Sequence, residues 1–155
     1  MAKIIISSHD ELAAFLGREI GVSEYHKIDQ EQINKFADAT IDHQWIHIDP
    51  ERAKKESPFG STIAHGYLTV SMLTHLWLQI VDVQNVKLMV NYGIEKLKFN
   101  QSVAVNSRIR LRASLESIVN LRGITRAHMH AVMEVEGNAK PAFDAVIVFL
   151  YHFNS

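Results

Sequence analysis

The sequence contains no cysteine. Disulfides, thiolate metal centres, iron–sulfur clusters and cysteine nucleophiles are therefore excluded, and the fold must hold by packing alone. Neither sign of charge is in excess. Sixteen Lys and Arg against 17 Asp and Glu give a formal net charge of -1, without the global basic surplus expected of a nucleic-acid partner or a protein of anionic membrane surfaces. Proline and glycine are scarce, three and seven in 155 residues, and no linker, repeat or low-complexity stretch divides the chain. One domain over residues 1–155 is expected, of a length that buries a sizeable core. The amino-terminal MAKIIISSHDE has only a short apolar run before Ser, His and acidic residues, which does not read as a signal peptide. The longest apolar stretch, 63–81, is interrupted by His65, Thr69, Ser71, Thr74, His75 and Gln79. That is too polar for a lipid-facing span but suits a helix buried in protein. The expectation is a soluble, cytoplasmic protein with no membrane and no nucleic-acid partner.

What is present changes period midway along the chain. Ser8 with Glu11 has capping-box spacing, and Leu12, Phe15 and Leu16 then share one face of a short helix. A strand is expected over 22–28. Asp29 with Gln32 repeats the capping spacing before a second amphipathic helix through Ile33, Phe36 and Ala37 that ends near Thr40. Asp49-Pro50 reads as an N-cap followed by Pro at the first helical position, opening a short helix that stops before Pro58. From Ala64 onward apolar residues occupy nearly every side of a helical wheel, which predicts a long central helix enclosed by protein. The second half supplies the enclosure. Ile109, Leu111, Ala113 and Leu115 alternate with Arg108, Arg110, Arg112 and Ser114, and 124–136 alternates likewise, as strands with one buried face do. After a Gly137-Asn138 turn, 143–153 is an aromatic, β-branched run, and 86–91 and 94–99 add shorter strands. The fold class is α+β, a curled antiparallel sheet wrapped around a long central helix. A single curled sheet leaves edges for a symmetric partner to cover, so a homodimer is expected.

The chemistry concentrates in two stretches. Phe36-Ala-Asp-Ala-Thr-Ile-Asp42-His-Gln44-Trp-Ile-His47-Ile-Asp-Pro-Glu-Arg-Ala53 sets a carboxylate and an imidazole five residues apart beyond a helix end, where loops commonly carry catalysis. Ile63-Ala-His65-Gly66-Tyr67-Leu68 then opens the buried helix. Unpaired N–H groups and the positive helix end can hold an oxyanion there, and Gly66 lets a ligand approach the backbone closely. A carboxylate and a histidine facing an N–H pocket can move protons next to a carbonyl with neither a metal nor a nucleophile. His128 and His130 share one strand face but lack a third ligand at a telling position, so no metal is expected. Arg108, Arg110 and Arg112 read as a charged solvent face, with the phosphates of a ligand as the alternative partner. Met72, Leu73, Leu76 and Trp77 are core or tunnel lining. Asp49 is an N-cap, neither acid nor base.

The run from Phe36 to Ala53 followed by His65-Gly66 resembles the hydratase 2 motif of the MaoC-like dehydratases, the family of (R)-specific enoyl-CoA hydratases with the hot dog fold. The Asp-His-Gln-Trp-Ile-His wording is most similar to the subgroup related to nodulation protein N, and the likeness extends through Asn91-Tyr92-Gly93-Ile94 to the Arg108–Arg112 strand. The resemblance implies that Asp42 and His47 form a catalytic dyad that activates a water, and that the Gly66 N–H donates to the thioester oxygen. Gln44 and His65 join them as substrate-binding candidates, His65 through its backbone more than its ring. Three positions depart from the commoner pattern: Ile41 stands where Gly is usual, Gln44 where Asn is usual and Trp45 where Pro is usual.

The implied reaction is reversible hydration of trans-2-enoyl thioesters to (R)-3-hydroxyacyl thioesters, with no cofactor and with an acyl-CoA or acyl carrier protein thioester as the small partner. A hot dog acyl-CoA thioesterase and a non-catalytic acyl-binding subunit are the competing functions, since fold alone does not decide among them.

Overall fold

The computed structural model describes residues 2–154. Strand β1 (Ile4–Ile6) leads into helix α1 (His9–Ala13). The Ser8 side chain accepts the Glu11 N–H at 3.2 Å, and the Glu11 carboxylate reaches back one residue further than the expected box, to Ser7 N at 2.6 Å. α1 is shorter than its periodicity implied: Leu12 is buried, whereas Leu16 lies outside the helix, exposed, in an isolated bridge to Leu115. The strand expected over 22–28 is two short ones, β2 (Glu19–Val22) and β3 (His26–Lys27), both on the same neighbour. Between them the Ser23 hydroxyl takes the place of a backbone acceptor for Leu111 N at 2.9 Å, which lets the chain leave the ladder and rejoin it.

Helix α2 (Gln30–Thr40) starts at its N-cap Asp29, whose carboxylate accepts Gln32 N at 2.9 Å. Helices α3 (Trp45–Ile48) and α4 (Pro50–Glu56) meet at Asp49, which caps α4 through Arg52 N at 3.0 Å. The long central helix is in fact two segments, α5 (Gly66–Ser71) and α6 (Leu73–Ile80), with a turn at Met72. Met72 N still bonds Leu68 O and Leu76 N bonds Met72 O, so the two keep one helical phase. β4 (Val81–Val83) then runs parallel to β1.

Four long strands complete the fold: β5 (Val86–Phe99), β6 (Arg108–Leu121), β7 (Ile124–Val135) and β8 (Phe143–Phe153). The order β2-β6-β7-β8-β5 is antiparallel throughout, with β3 also on β6. The two strands expected at 86–91 and 94–99 are one strand, whose register against β8 slips at three places. These slips re-aim its side chains, so its burial does not alternate as it does in β6 and β7. The Gly137 turn between β7 and β8 takes φ +81.

The concave face of β6, β7 and β8 presents Leu111, Leu115, Met129 and Met133 to Leu76 and Trp77 of α6, all buried. Each such side chain contributes about 1.5–3 kcal/mol by leaving water. Trp77 Nε1 donates to the Tyr151 hydroxyl at 2.6 Å, satisfying both buried groups, and burial pushes the Tyr151 pKa up. On the opposite face Arg108 meets Glu136 at 3.0 Å, Arg110 meets Glu134 at 2.9 Å and Arg112 meets Glu19 at 2.6 Å. That row is neutralised by its own neighbours, as the solvent-face reading expects. No helix among the described residues is long and apolar enough to cross a membrane.

Candidate active site

The site forms where the end of α2, helix α3 and the start of α5 converge. Beyond Thr40, Ile41 adopts a left-handed conformation, φ 59 and ψ 35, and its N–H and that of Asp42 both reach Ala37 O. This is the C-terminal cap geometry that glycine adopts most readily. For an L-residue it costs about 1–2 kcal/mol, and Ile41, 83% exposed, recovers little of that by burial. The turn delivers Asp42, its side chain 53% exposed, to the rim of a cleft. Gln44 then occupies the N-cap position of α3 without a side-chain capping bond, is exposed, and is not among the residues lining the cleft. Trp45 begins α3 beneath the Arg52 guanidinium, 4.3 Å from its ring centroid.

α3 buries His47. Its Nδ1 lies 2.8 Å from the Ile63 carbonyl. A carbonyl can only accept, so Nδ1 carries the hydrogen of the neutral ring and Nε2 keeps a bare lone pair. The frame around this bond is backbone: Ile63 N donates to Ile46 O at 3.0 Å and Ala64 N to Val103 O at 2.8 Å. Gln30 adds a side-chain brace, its amide donating to His47 O at 2.7 Å while its oxygen accepts from the Thr62 hydroxyl at 2.6 Å.

His65 is 3% exposed and stacks on His47, the ring centroids 3.9 Å apart and the planes 21° from parallel, with Phe36 also against it at 4.9 Å. Its Nε2 donates to the Asp42 carbonyl at 3.1 Å and stands 3.9 Å from the Asp42 carboxylate, while Nδ1 has no partner among the described residues. Burial pushes the His65 pKa below the ordinary histidine value, against a pull upward from the bond to Asp42. The ring also lines the cavity and bonds the Asp42 backbone, a contact the sequence did not indicate.

The helical ladder of α5 begins with Leu68 N and Thr69 N donating to His65 O, so the N–H groups of Gly66 and Tyr67 precede it. A Cβ at Gly66 would lie 2.9 Å from the Phe99 ring atoms Cε1 and Cζ. A side chain at this position would have to displace the tip of the Phe99 ring.

Asp42, His47, His65 and Gly66 line one cavity of about 550 Å³, walled by Phe59, Phe99 and others. That volume is typical of small-molecule clefts. One donor atom from each of Asp42, His47 and His65 lies within 4.8 Å of the others, close enough for one water to serve all three. This trio is also the group among the described residues whose spacing could hold a cation. His128 and His130 instead face carboxylates, Glu95 at 3.5 Å and Asp144 at 2.6 Å. Sequence reasoning missed Gln30, Thr62 and Phe99, which reach the site through tertiary packing and carry no local signal.

Two outcomes follow from this geometry. Ile41→Gly is expected to raise the unfolding free energy by about 0.5–1 kcal/mol, the left-handed penalty less the entropy that glycine loses. Chemical denaturation reads this directly, and equal or lower stability would mean that Ile41 is not strained. For His65, a folded-state pKa below the unfolded one makes the unfolded chain bind more protons between the two values. Its stabilising contribution is complete above about pH 6.5 and is lost as pH falls through the folded value. The melting-temperature advantage of the wild type over His65→Asn should therefore shrink on acidification, and a constant difference from about pH 8 to about pH 5 would contradict it.

The MaoC-like domain profile matches residues 11–138. The chain is 47% identical over 142 residues to 3-hydroxyacyl-thioester dehydratase Z of Mycobacterium tuberculosis, an alignment covering 91% of this chain and 93% of that one. It is 36% identical over 149 residues to nodulation protein N of Rhizobium meliloti, covering 95% and 92%. Among solved structures, the unliganded R-hydratase PhaJ1 from Pseudomonas aeruginosa superposes with a TM-score of 0.75 over 96% of this chain and 88% of that one, at 15% identity, which is a likeness of fold. With a curled sheet around a buried helix, and with the profile and both relatives spanning most of its length, the chain belongs to the MaoC-like domain family.

Proposed function

We propose that this protein is a lyase that reversibly hydrates trans-2-enoyl thioesters to (R)-3-hydroxyacyl thioesters, with an acyl-CoA or acyl carrier protein thioester as substrate. The observation that carries the reading is the commitment of His47 Nδ1 to the Ile63 carbonyl, which leaves a bare Nε2 in the same cavity as the Asp42 carboxylate and Gly66. The relative named 3-hydroxyacyl-thioester dehydratase, at 47% identity, supports the same reaction class.

In this mechanism the thioester oxygen meets the N–H of Gly66, and the carbonyl draws electron density from C3. His47 Nε2 accepts one proton from a water whose other hydrogen is held by the Asp42 carboxylate, and the water oxygen bonds to C3. The C2–C3 π electrons move toward the carbonyl, placing negative charge on the oxygen where the backbone donor is worth most. The His47 imidazolium, stabilised by Asp42, then returns the proton to C2. The product has gained the H and OH of one water and the ring is neutral again; the dehydration direction reverses each transfer. His65 beside it, kept neutral by burial, adds no competing positive charge.

A hydration assay that follows loss of the conjugated enoyl thioester of 2-enoyl-CoA, with chiral analysis of the product, tests the reading. Asp42→Asn and His47→Ala should each lower kcat at least about a hundredfold, and the wild-type rate should persist in a chelator. Free thiol released in place of hydration would identify a thioesterase instead, and binding without turnover an acyl-binding subunit. Activity within a few-fold of wild type in either variant would remove that residue from the mechanism.

The working unit we infer is a homodimer, formed through β5. This strand ends the sheet order, so one edge is unpaired, and it exposes Leu88, Val90, Tyr92 and Ile94. An exposed apolar edge strand is a template for pairing, which a second copy satisfies symmetrically. Light scattering should return twice the chain mass, and Tyr92→Glu should shift the protein toward monomer. A monomer mass for the wild type at low micromolar concentration would overturn this assembly.

A further inference from the structure

Gln30 and Thr62 bond to the parts of the chain that carry the His47 ring, yet neither lines the reaction cavity. The Gln30 amide donates to His47 O at 2.7 Å and to Asn34 Oδ1 at 2.9 Å, and its oxygen accepts from the Thr62 hydroxyl at 2.6 Å. A backbone carbonyl only accepts, so the amide has one orientation here, nitrogen toward His47 and oxygen toward Thr62.

Together with the ring bond these contacts close a circuit. His47 Nδ1 donates to Ile63 O, Ile63 follows Thr62 in the chain, Thr62 donates to Gln30, and Gln30 donates back to His47 O. One side of the circuit is firm: Thr62 is buried, Val105 N donates to its carbonyl at 3.0 Å, and Ile63 pairs with Ala104. The other side is soft. Helix α3 has four residues and no side-chain cap at Gln44, and so short a helix does not hold its own shape. Gln30, in the first turn of the longer, Asp29-capped α2, ties the soft side to the firm one.

We propose that Gln30, anchored by Thr62, is a positioning residue that sets the tautomer and the aim of His47. The proposal rests on the hydratase reading for what Nε2 does. The hydrogen bond made by one ring nitrogen selects the tautomer of a neutral imidazole. If His47 O drifts, the Nδ1 bond to Ile63 loosens and a share of the rings carries the hydrogen on Nε2, where it blocks proton uptake from water. A displacement of about 1 Å in such a group costs about a hundredfold in rate. Substrate binding is spared, because Gln30 and Thr62 stand outside the reaction cavity. They line a separate cavity of about 330 Å³ instead, which leaves room for a methionine of similar length at position 30.

The test compares Gln30→Met, Thr62→Val and Thr62→Ser with wild type, by 2-enoyl-CoA hydration kinetics and by long-range 15N–1H spectra of the His47 ring. The ring is identified among the nine histidines by the signals lost in His47→Ala. Gln30→Met should lower kcat about tenfold or more with KM within about twofold of wild type. Its His47 signals should move from a protonated Nδ1 and bare Nε2 toward a mixture of tautomers. Thr62→Val should shift kcat and spectrum in the same direction, and Thr62→Ser, which keeps the hydroxyl, should restore both. If Gln30→Met does not fold, the two Thr62 variants decide. A kcat within about threefold of wild type in Gln30→Met, or a raised KM with kcat kept, overturns the proposal. So does a lowered kcat with unmoved His47 signals, and so does an equal loss in Thr62→Val and Thr62→Ser. A wild type that hydrates no 2-enoyl-CoA defeats the hydratase reading, and the tautomer signals then still decide whether Gln30 sets the ring.

Discussion

The hydrogen bond from His47 Nδ1 to the Ile63 carbonyl is the side-chain link between two distant parts of the chain that backbone bonds also hold together. One end belongs to a four-residue helix, too short to stand alone, and the other to an extended segment leading into the central helix. Closing that bond orients the imidazole, selects its tautomer and, through the adjoining Ile63–Ile46 and Ala64–Val103 backbone bonds, places His65 over the same ring. Without it His47 would be a buried polar ring with nothing to receive its hydrogen, which costs about 1–3 kcal/mol. The acceptor that makes burial tolerable also fixes which ring nitrogen keeps its lone pair.

The same division of labour runs along the central helix. Its second segment is locked, with Leu76 and Trp77 in the curl of the sheet and the indole bonded to Tyr151. Its first segment begins at the cavity, where the N–H groups of Gly66 and Tyr67 precede the helical ladder. A rigid, apolar anchor at one end permits an unsatisfied, polar terminus at the other, because packing supplies stability that hydrogen bonding at the terminus does not. The turn at Met72 separates these regions without breaking helical phase.

What was legible in the sequence follows from how local each cause is. Strand alternation in β6 and β7, and the caps at Asp29 and Asp49, depend on residues a few positions apart and appear where the pattern placed them. β5 was split in two because its register slips against β8, and a slip is a property of the pair rather than of either strand. Asp42, His47 and Gly66 could be picked out because their spacing is a family pattern, and the fold gathers them around one cavity. The His65 ring could not be placed from the sequence, since its burial depends on Phe36 and His47 closing over it. Gln30 and Phe99 were invisible for the same reason: each is an ordinary residue of its helix or strand until topology carries it to the site.

The three departures from the commoner family pattern show what that pattern encodes. Ile41 holds a left-handed cap, the conformation glycine accepts without strain. Gln44 sits at an N-cap, where asparagine's shorter amide reaches the next turn and glutamine's makes no capping bond. Trp45 opens a helix, where proline is pre-organised, and gains an Arg52 guanidinium over its ring in exchange. All three positions lie on or beside the backbone path from Asp42 to His47. Their replacement alters how firmly that path is held while leaving the carboxylate and the imidazole in one cavity. The replacements thus fall on the backbone that carries Asp42 and His47 rather than on those two side chains, and variation there is a route to a different site shape with the carboxylate and the imidazole retained.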